Sequence, residues 1–271
     1  MATFDLNGKS IYYEEYGQGK PLLVLNGIMM SCASWKEFIE PWSANNRLLL
    51  VDFLDQGKSS RMEEGYDQAI QLDVVKGLLD HLGLDKVCLM GISYGSEVAL
   101  RFTIQYGERV ERLMLFNATA RTGPWLGDIG DGWNLSTGDP DAYYLSTIPI
   151  IYSPGFYRKN NDWMNRRREV LRPVFSDPAF IQGMIRLTNS SRGHDVVDQL
   201  HTITVPTLVV SCQQDYLIPV EEQQLICEKI PNAHHVIIPD CGHASMYEKP
   251  LLFSMLVTGF CNSTKVDYQI V

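Results

Sequence analysis

The segment Gly91-Ile92-Ser93-Tyr94-Gly95 constrains the fold more than any other part of the sequence, because of what stands on either side of it. The apolar run 87–90 predicts a buried strand, and residues 97–102 predict a helix. A chain that passes so quickly from strand to helix needs a sharp turn, at which a Cβ would collide with a neighbouring element. The glycines at 91 and 95 permit that turn, which lifts the Ser93 hydroxyl clear of the sheet. Ser93 is therefore the candidate nucleophile.

Two loops further along the chain supply the partners that such a serine needs. A serine hydroxyl is a weak nucleophile at neutral pH and requires a base, which an acid orients in turn. Asp215 follows the buried-strand pattern 206–211, and His243 follows the apolar run 236–239. Because the carboxyl ends of parallel strands share one edge of a sheet, we expect Ser93, Asp215 and His243 to converge there. The sequence thus predicts a Ser-His-Asp triad.

Other polar residues near these positions are poorer candidates for the triad. Asn117 ends the strand pattern 112–116, where an alternative acid would stand, but its amide cannot carry a negative charge. Asp240 is too near His243 in sequence to reach behind its ring, and we interpret it as a turn residue. His234 and His235 open a strand pattern and are interpreted as structural. Asp215 remains the candidate acid.

Over nearly its whole length the chain resembles the α/β-hydrolase superfamily, which implies an α/β fold with a mostly parallel sheet flanked by helices. Residues 21–25, followed by Asn26-Gly27-Ile28 and Trp35, are similar to the family's oxyanion loop, with Asn26 in place of the usual histidine. The resemblance implies that the backbone N–H groups of Ile28 and Tyr94 form the oxyanion hole.

The segment 52–59 is similar to a second loop of that family. Leu54 and Asp55 depart from the usual Arg and Gly at positions that are structural in most members. We therefore expect the departure to affect the conformation of this loop and its contact with substrate, and Asp52 is not assigned a catalytic role.

Strand patterns occur near 21–25, 47–53, 86–90, 112–117, 206–211 and 235–239. Asn7-Gly8 predicts a hairpin before them, and apolar residues at helical spacing over 69–82 predict a helix that ends at Gly83. Alternating strands and helices favour a parallel sheet. The interval 118–200 lacks such strand patterns, so we interpret it as a helical cap inserted between core segments 1–117 and 201–271.

The predicted cap contains three features of interest. Its glycine-rich stretch 127–132 predicts a mobile loop. The run Arg166-Arg167-Arg168 either contacts a phosphate of phosphopantetheine or coenzyme A, or forms a solvated helix face. The aromatic residues of the cap either line an acyl pocket or hold its own small core; they include Tyr143, Tyr144, Phe156 and Trp163.

Composition excludes several other classes of function. The net charge is −9 and the basic residues are scattered apart from the one arginine cluster, which disfavours a nucleic-acid partner. No apolar window reaches the length of a membrane span and no targeting segment is evident, so we expect a cytoplasmic protein. The six cysteines lack Cys-x-x-Cys and zinc-site spacing, so we expect reduced thiols. We expect no metal or organic cofactor, because the proposed triad can do the chemistry unaided. Oligomeric state is left open.

The leading hypothesis is a carboxylesterase or thioesterase that acts on a small-molecule acyl substrate. One alternative is an acyltransferase with an alcohol acceptor, because residues 26–27, 33–35 and 57–59 resemble hydroxyacyl transferases of rhamnolipid and polyhydroxyalkanoate precursor synthesis. Another is a non-catalytic binding protein on the same fold. Lactone and carbon–carbon hydrolysis also stay open, whereas Ser93 disfavours epoxide hydrolases and dehalogenases, which carry an aspartate at this turn.

Overall fold

The computed structural model describes residues 2–265, and within them eight strands form one sheet of order β1-β2-β4-β3-β5-β6-β7-β8. From β4 onward to β8, neighbouring strands run parallel, whereas β2 pairs antiparallel with both β1 and β4. The strands are β1 Ala2–Leu6, β2 Lys9–Tyr16, β3 Lys20–Leu25, β4 Asn46–Val51, β5 Val87–Ile92, β6 Val110–Phe116, β7 Thr207–Cys212 and β8 Ala233–Ile238. All six strands predicted beyond the amino-terminal hairpin are present.

The central strands contain apolar runs, such as residues 21–25 in β3 and 113–116 in β6, because both faces of the sheet are covered there. In β3, Leu23 and Leu25 pack into the core on one face, whereas Leu22 and Val24 pack into the core on the other. This alternation follows from the period of two in a strand, and a strand buried on both sides needs an unbroken apolar run.

The helices that flank the sheet follow the strands in the order that a parallel sheet requires. The predicted helix over 69–82 is present as Ile70–His81, and Gly83 beyond it has a φ of 62°. The helices outside the interval 118–200 are α1 Ile39–Ser43, α2 Ile70–His81, α3 Tyr94–Gln105, α9 Val220–Lys229, α10 Ser245–Glu248 and α11 Pro250–Asn262. Short 3-10 helices cover Cys32–Phe38, Gly107–Arg109 and Val197–Thr202.

Between β6 and β7 the chain forms five successive α-helices. They are α4 Pro124–Leu135, α5 Pro140–Ile151, α6 Pro154–Lys159, α7 Asn161–Phe175 and α8 Pro178–Ser190. A proline in the first turn starts four of them, α4, α5, α6 and α8, where its missing N–H costs no helical hydrogen bond. We propose that this helical insertion is the cap.

The prediction of a mobile loop over 127–132 is wrong, since these residues lie inside α4. Leu126, Ile129 and Trp133 pack against the core at helical spacing, and this contact outweighs the poor helix propensity of the intervening glycines. A Cβ built on Gly130 would lie 3.0 Å from the Thr188 methyl group, so the small residue also lets α4 approach α8 closely.

No helix within residues 2–265 combines the length and the apolar character needed to cross a membrane.

Candidate active site

Ser93 lies at the junction between β5 and α3 in a strained backbone conformation. Its φ of 54° and ψ of −124° fall outside the regions that residues with a side chain ordinarily adopt. Its N–H donates to Phe116 O at 2.9 Å, and its carbonyl accepts the N–H of Ser96 at 2.7 Å, so hydrogen bonds on both sides fix the turn. The side chain is left at the end of the strand, next to the amino terminus of α3.

The two glycines of the turn are required by close backbone contacts. A Cβ on Gly91 would overlap the Gly95 carbonyl group, and a Cβ on Gly95 would reach 2.7 Å from Asn26 O. Real Cβ atoms do not approach backbone oxygens so closely. The glycines therefore allow β5, α3 and the loop after β3 to meet at Ser93.

Asp215 and His243, which are 28 residues apart, are brought into direct contact. His243 Nδ1 lies 2.7 Å from Asp215 Oδ2, and both side chains are buried. Asp215 Oδ1 accepts the N–H groups of Leu217 and Ile218, each at 2.9 Å. Both carboxylate oxygens are thus engaged, which fixes the acid behind the ring. With Nδ1 donating to a carboxylate, Nε2 is left as the atom that can take a proton.

Asn117 has a role that the sequence did not indicate. It follows β6 with a φ of 51°, and its Nδ2 donates to the backbone carbonyl of His243. Its Oδ1 accepts from Cys212 Sγ at 3.3 Å, so the amide links the loop of the histidine to the end of β7. An amide can donate in this way and an aspartate cannot.

The loop after β3, which contains Ile28, is held by buried amides. Asn26 Nδ2 donates to Val51 O at 2.8 Å, and Trp35 Nε1 donates to Asn26 Oδ1 at 2.7 Å. Gln56 Nε2 donates to the carbonyls of Gly27 at 2.9 Å and Ile28 at 3.2 Å. Asn26 therefore braces this loop in place of the usual histidine, and Gln56 is a second support that sequence reasoning missed. Tyr94 is the first residue of α3, where backbone N–H groups have no intrahelical acceptor.

The loop 52–59 shows why Asp55 departs from the family pattern. The buried Asp55 has a φ of 69°, a conformation that favours glycine, and its carboxylate accepts from Arg186 Nη2 at 2.6 Å and Nε at 2.9 Å. Arg186 belongs to α8, so the ion pair joins this loop to the helical insertion. Asp52 is also structural, because its carboxylate accepts the N–H groups of Cys32 at 2.7 Å and Lys58 at 2.8 Å.

A cavity of about 430 Å³ lies between the sheet edge and the helical insertion. Ser93 and His243 both line it, together with Ile28. The rest of the lining is mainly apolar and comes from the oxyanion loop, α5, α7 and α10, including Met30, Ile148, Leu171, Phe175 and Met246. The nucleophile and base predicted from sequence therefore open onto one apolar space of a size that suits a small molecule.

A smaller recess of about 50 Å³ also reaches Ser93. Its lining is also mostly apolar, and its polar members include Glu97, Thr122 and Ser191. Glu97 is buried on α3 and accepts from Gln68 Nε2 at 2.7 Å, and burial raises its pKa to about 8. The candidate nucleophile thus lines both a large cavity and a small recess.

The arginine run on α7 is divided among different surroundings. Arg166 is exposed. Arg168 donates to Asp141 at 3.0 Å, which holds the pKa of its guanidinium above the usual value. Arg167 alone of the three lines the large cavity. The predicted solvated face therefore describes Arg166 but not its neighbours.

The cap aromatics named above pack among themselves instead of lining the large cavity. Tyr143 contacts Phe175 edge-on, with ring centroids 4.9 Å apart, and Phe156 contacts Trp163 edge-on at 5.7 Å. None of Tyr143, Tyr144, Phe156 and Trp163 lines the cavity that contains Ser93. These four residues therefore fit the small core, whereas three other aromatic residues of the insertion, Trp133, Phe175 and Phe180, line the cavity.

The remaining candidates take structural positions. Asp240 is exposed, with a φ of 48°, in the turn after β8, and His235 in β8 lies 2.6 Å from Ser211 Oγ. Cys212 ends β7 and is buried, as are Cys32 and Cys241, and burial raises the pKa of the Cys32 thiol. Within residues 2–265, no group of three or more His, Cys, Asp or Glu side chains is arranged to hold a metal ion.

Comparison with known proteins gives a consistent result. A sequence model of the alpha/beta hydrolase family matches residues 22–254. The crystal structure of an alpha/beta hydrolase enzyme from a Medee basin deep-sea metagenome library is 49% identical, with a TM-score of 0.97, over 99% of this chain and 100% of that one.

More distant relatives have named activities. A 2-hydroxy-6-oxononadienedioate/2-hydroxy-6-oxononatrienedioate hydrolase of Pseudomonas putida is 27% identical over 94% of this chain and 92% of its own length. A thermophilic esterase from Thermogutta terrifontis is 26% identical, with a TM-score of 0.81, over 95% of both chains.

Proposed function

The chain belongs to the alpha/beta hydrolase family and has its fold, and we propose that it is a serine hydrolase that acts on an acyl ester or thioester. The observation that carries the proposal is the 2.7 Å contact between His243 Nδ1 and Asp215 Oδ2, beside a cavity that Ser93 also lines. A buried acid, a base with one free nitrogen and a serine on a strained turn are the parts that acyl transfer requires.

In the proposed reaction, Ser93 Oγ attacks the acyl carbonyl carbon while His243 Nε2 takes the hydroxyl proton. Asp215 keeps the proton on Nδ1 and stabilises the imidazolium that forms. The N–H groups of Ile28 and Tyr94 stabilise the oxyanion, and the positive end of α3 adds to this effect. Collapse of the tetrahedral intermediate breaks the bond to the alcohol or thiol, which receives the proton from His243.

Water then attacks the acyl-enzyme, again with His243 as the base, and the carboxylic acid is released. The esterase from Thermogutta terrifontis supports an ester substrate by similarity. The Pseudomonas putida relative is named for a different substrate, so similarity alone does not choose among the hydrolytic reactions of the family.

An acyltransferase is the second candidate. The mainly apolar lining of the cavity favours it, because such a lining limits the water available to the acyl-enzyme. The two functions share every step up to that intermediate. Product analysis with a 3-hydroxyacyl thioester and added alcohol separates them: ester product supports the transferase, and free acid alone, with no ester at any acceptor concentration, rules it out.

The test of the triad is hydrolysis of p-nitrophenyl esters from acetyl to long acyl chains, with the native protein and three variants. We expect Ser93→Ala to abolish turnover and Asp215→Asn to reduce kcat by up to about 10,000-fold. Asp240→Asn changes the same chemical group on an exposed turn and serves as the matched control, with activity close to native. Native-like turnover by Ser93→Ala, or failure of the native protein to react with a fluorophosphonate, would refute the proposal.

A further inference from the structure

Arg167 is a cation on the wall of a mainly apolar cavity. It lies on α7, and the residues that follow it at helical spacing, Val170, Leu171 and Val174, line the same cavity. No aspartate or glutamate contributes to the described lining, and His243 and Tyr247 are the other ionisable residues there. Arginine keeps its charge at any physiological pH, so the Arg167 guanidinium places a permanent positive charge on the wall of the cavity.

The guanidinium has no carboxylate partner within residues 2–265. It stacks on Tyr247, with 4.6 Å between Cζ and the ring centroid, and on Trp163 at 5.3 Å. By contrast, Arg168 and Arg172 on the same helix both pair with Asp141. Aromatic faces hold the group in place but accept no strong hydrogen bond from its N–H groups.

Two buried polar atoms of this region have no hydrogen-bond partner among the described residues. They are Arg167 Nε and the hydroxyl of Tyr152. The Tyr152 ring contacts both aromatic rings on which Arg167 stacks, with centroids 5.9 Å from Trp163 and 6.4 Å from Tyr247. Buried donors without acceptors are costly, and a planar guanidinium fork matches a carboxylate.

We propose that Arg167 binds an anionic group on the acyl part of the substrate, so that the preferred substrate is an ester or thioester of an acyl chain with a carboxylate at its far end. The acyl part is assigned to the large cavity because it is apolar along most of its wall and contains the cation. The small recess that Ser93 also lines then receives the leaving group.

This inference rests on the proposed function, and the substrates that test it differ only in charge. Monomethyl and dimethyl esters of dicarboxylic acids from adipic to sebacic acid present the same chain with and without a free carboxylate. We expect the native protein to have the higher kcat/KM on the monoester anion at some chain length, which measures the reach from Ser93 to Arg167.

Arg167→Met keeps an apolar stem and removes the charge. We expect it to lower kcat/KM for the monoester anion by roughly 10- to 100-fold, the range typical of a hydrogen bond to a charged group. The change should lie mainly in KM, since the contact is remote from the reacting carbonyl. Turnover of the dimethyl ester should stay within a few-fold of native, which also shows that the variant is folded.

Two further variants separate charge from position. Arg167→Lys keeps the charge without the fork and should lose less than Arg167→Met. Arg166→Met removes the neighbouring exposed arginine and should leave both substrates unaffected. Equal effects of Arg166→Met and Arg167→Met, or a native preference for the dimethyl ester that Arg167→Met does not change, would overturn the proposal. The proposal would also be overturned if kcat/KM depended on Arg167 only for esters whose carboxylate is on the alcohol part and not on the acyl part.

Binding measured without turnover distinguishes failure of this inference from failure of the proposed function. Calorimetric titration of Ser93→Ala with monomethyl suberate, in the presence and absence of the additional Arg167→Met change, needs no catalysis. Binding that depends on Arg167 in a protein that hydrolyses no ester supports the anion site and refutes the hydrolase. Hydrolysis of neutral esters with no binding preference for the anion refutes the anion site alone.

Discussion

The ion pair between Asp55 and Arg186 provides a direct test of how the loop 52–59 and α8 stabilise each other. The Asp55 side chain is 0% exposed and that of Arg186 is 13% exposed. The change to make is Arg186→Met, which keeps most of the stem and leaves the carboxylate buried without its partner. Removing one member of a buried pair costs about 3–5 kcal/mol, because the other charge is left uncompensated.

The structure places Arg186→Met at the lower end of that range. Asp55 Oδ1 still accepts the N–H of Met62 at 3.0 Å, so the carboxylate is not wholly unsatisfied. We therefore expect a loss of about 3 kcal/mol in the free energy of unfolding. Asp55→Gly should cost less, about 1–2 kcal/mol, since it removes the pair but relieves a non-glycine residue at φ 69° and leaves a cation that water can partly reach.

The double variant Asp55→Gly with Arg186→Met contains no unpaired buried charge. It should therefore be more stable than Arg186→Met alone, with a loss of about 1–2 kcal/mol, so the sum of the two single losses should exceed the double loss by about 3 kcal/mol. Urea unfolding at constant m gives the three values. If the single losses simply add, or if Arg186→Met lies within about 0.5 kcal/mol of native, the pair does not couple the loop to α8 and the reasoning is wrong.

Three further predictions concern the supports of the site. Asn117→Ala removes the donor to the His243 carbonyl, and we expect roughly a 10-fold fall in kcat with a loss of about 1 kcal/mol in stability, checked by ester hydrolysis and urea unfolding. Gln56→Ala frees the carbonyls of Gly27 and Ile28, and it should lower kcat on p-nitrophenyl esters more than it raises KM, because the oxyanion is bound most tightly in the transition state. Glu97, whose pKa of about 8 exceeds its unfolded value, binds more protons when folded, so its stabilising contribution is complete below the unfolded pKa and is lost as pH rises to about 8. Between pH 5 and pH 8 the free energy of unfolding should therefore fall less for Glu97→Gln than for the native protein. Urea unfolding that gives the same pH dependence for both proteins would contradict this assignment.

The parts of the fold that are local patterns could be predicted from the sequence. The strand, turn and helix around Ser93 depend on neighbouring residues, as do the hairpin at Asn7-Gly8 and the helix that ends before Gly83. The helical state of the glycine-rich part of α4 could not be predicted, because it depends on packing against α8, and helix propensities do not account for such packing.

Contacts that join distant segments were predictable only where topology required them. The contact between Asp215 and His243 was predictable because both residues follow parallel strands, whose carboxyl ends meet at one edge of the sheet. No such rule connects Asp55 to Arg186, which is 131 residues further along. The sequence did mark this position, since Asp55 stands where the family pattern has a glycine. Such a departure indicates an altered local contact, but it does not identify Arg186 as the residue that Asp55 contacts.

The arginine run shows the same limit on a single helix. Three consecutive residues advance by about 100° each around a helix, so a run of identical residues must face different surroundings once the helix is packed. Arg166 meets solvent, Arg167 meets the cavity and Arg168 meets Asp141. A motif read as one charged patch thus divides into a solvated residue, a candidate ligand-binding residue and an ion pair, and the orientation of α7 decides which arginine lines the cavity that Ser93 also lines.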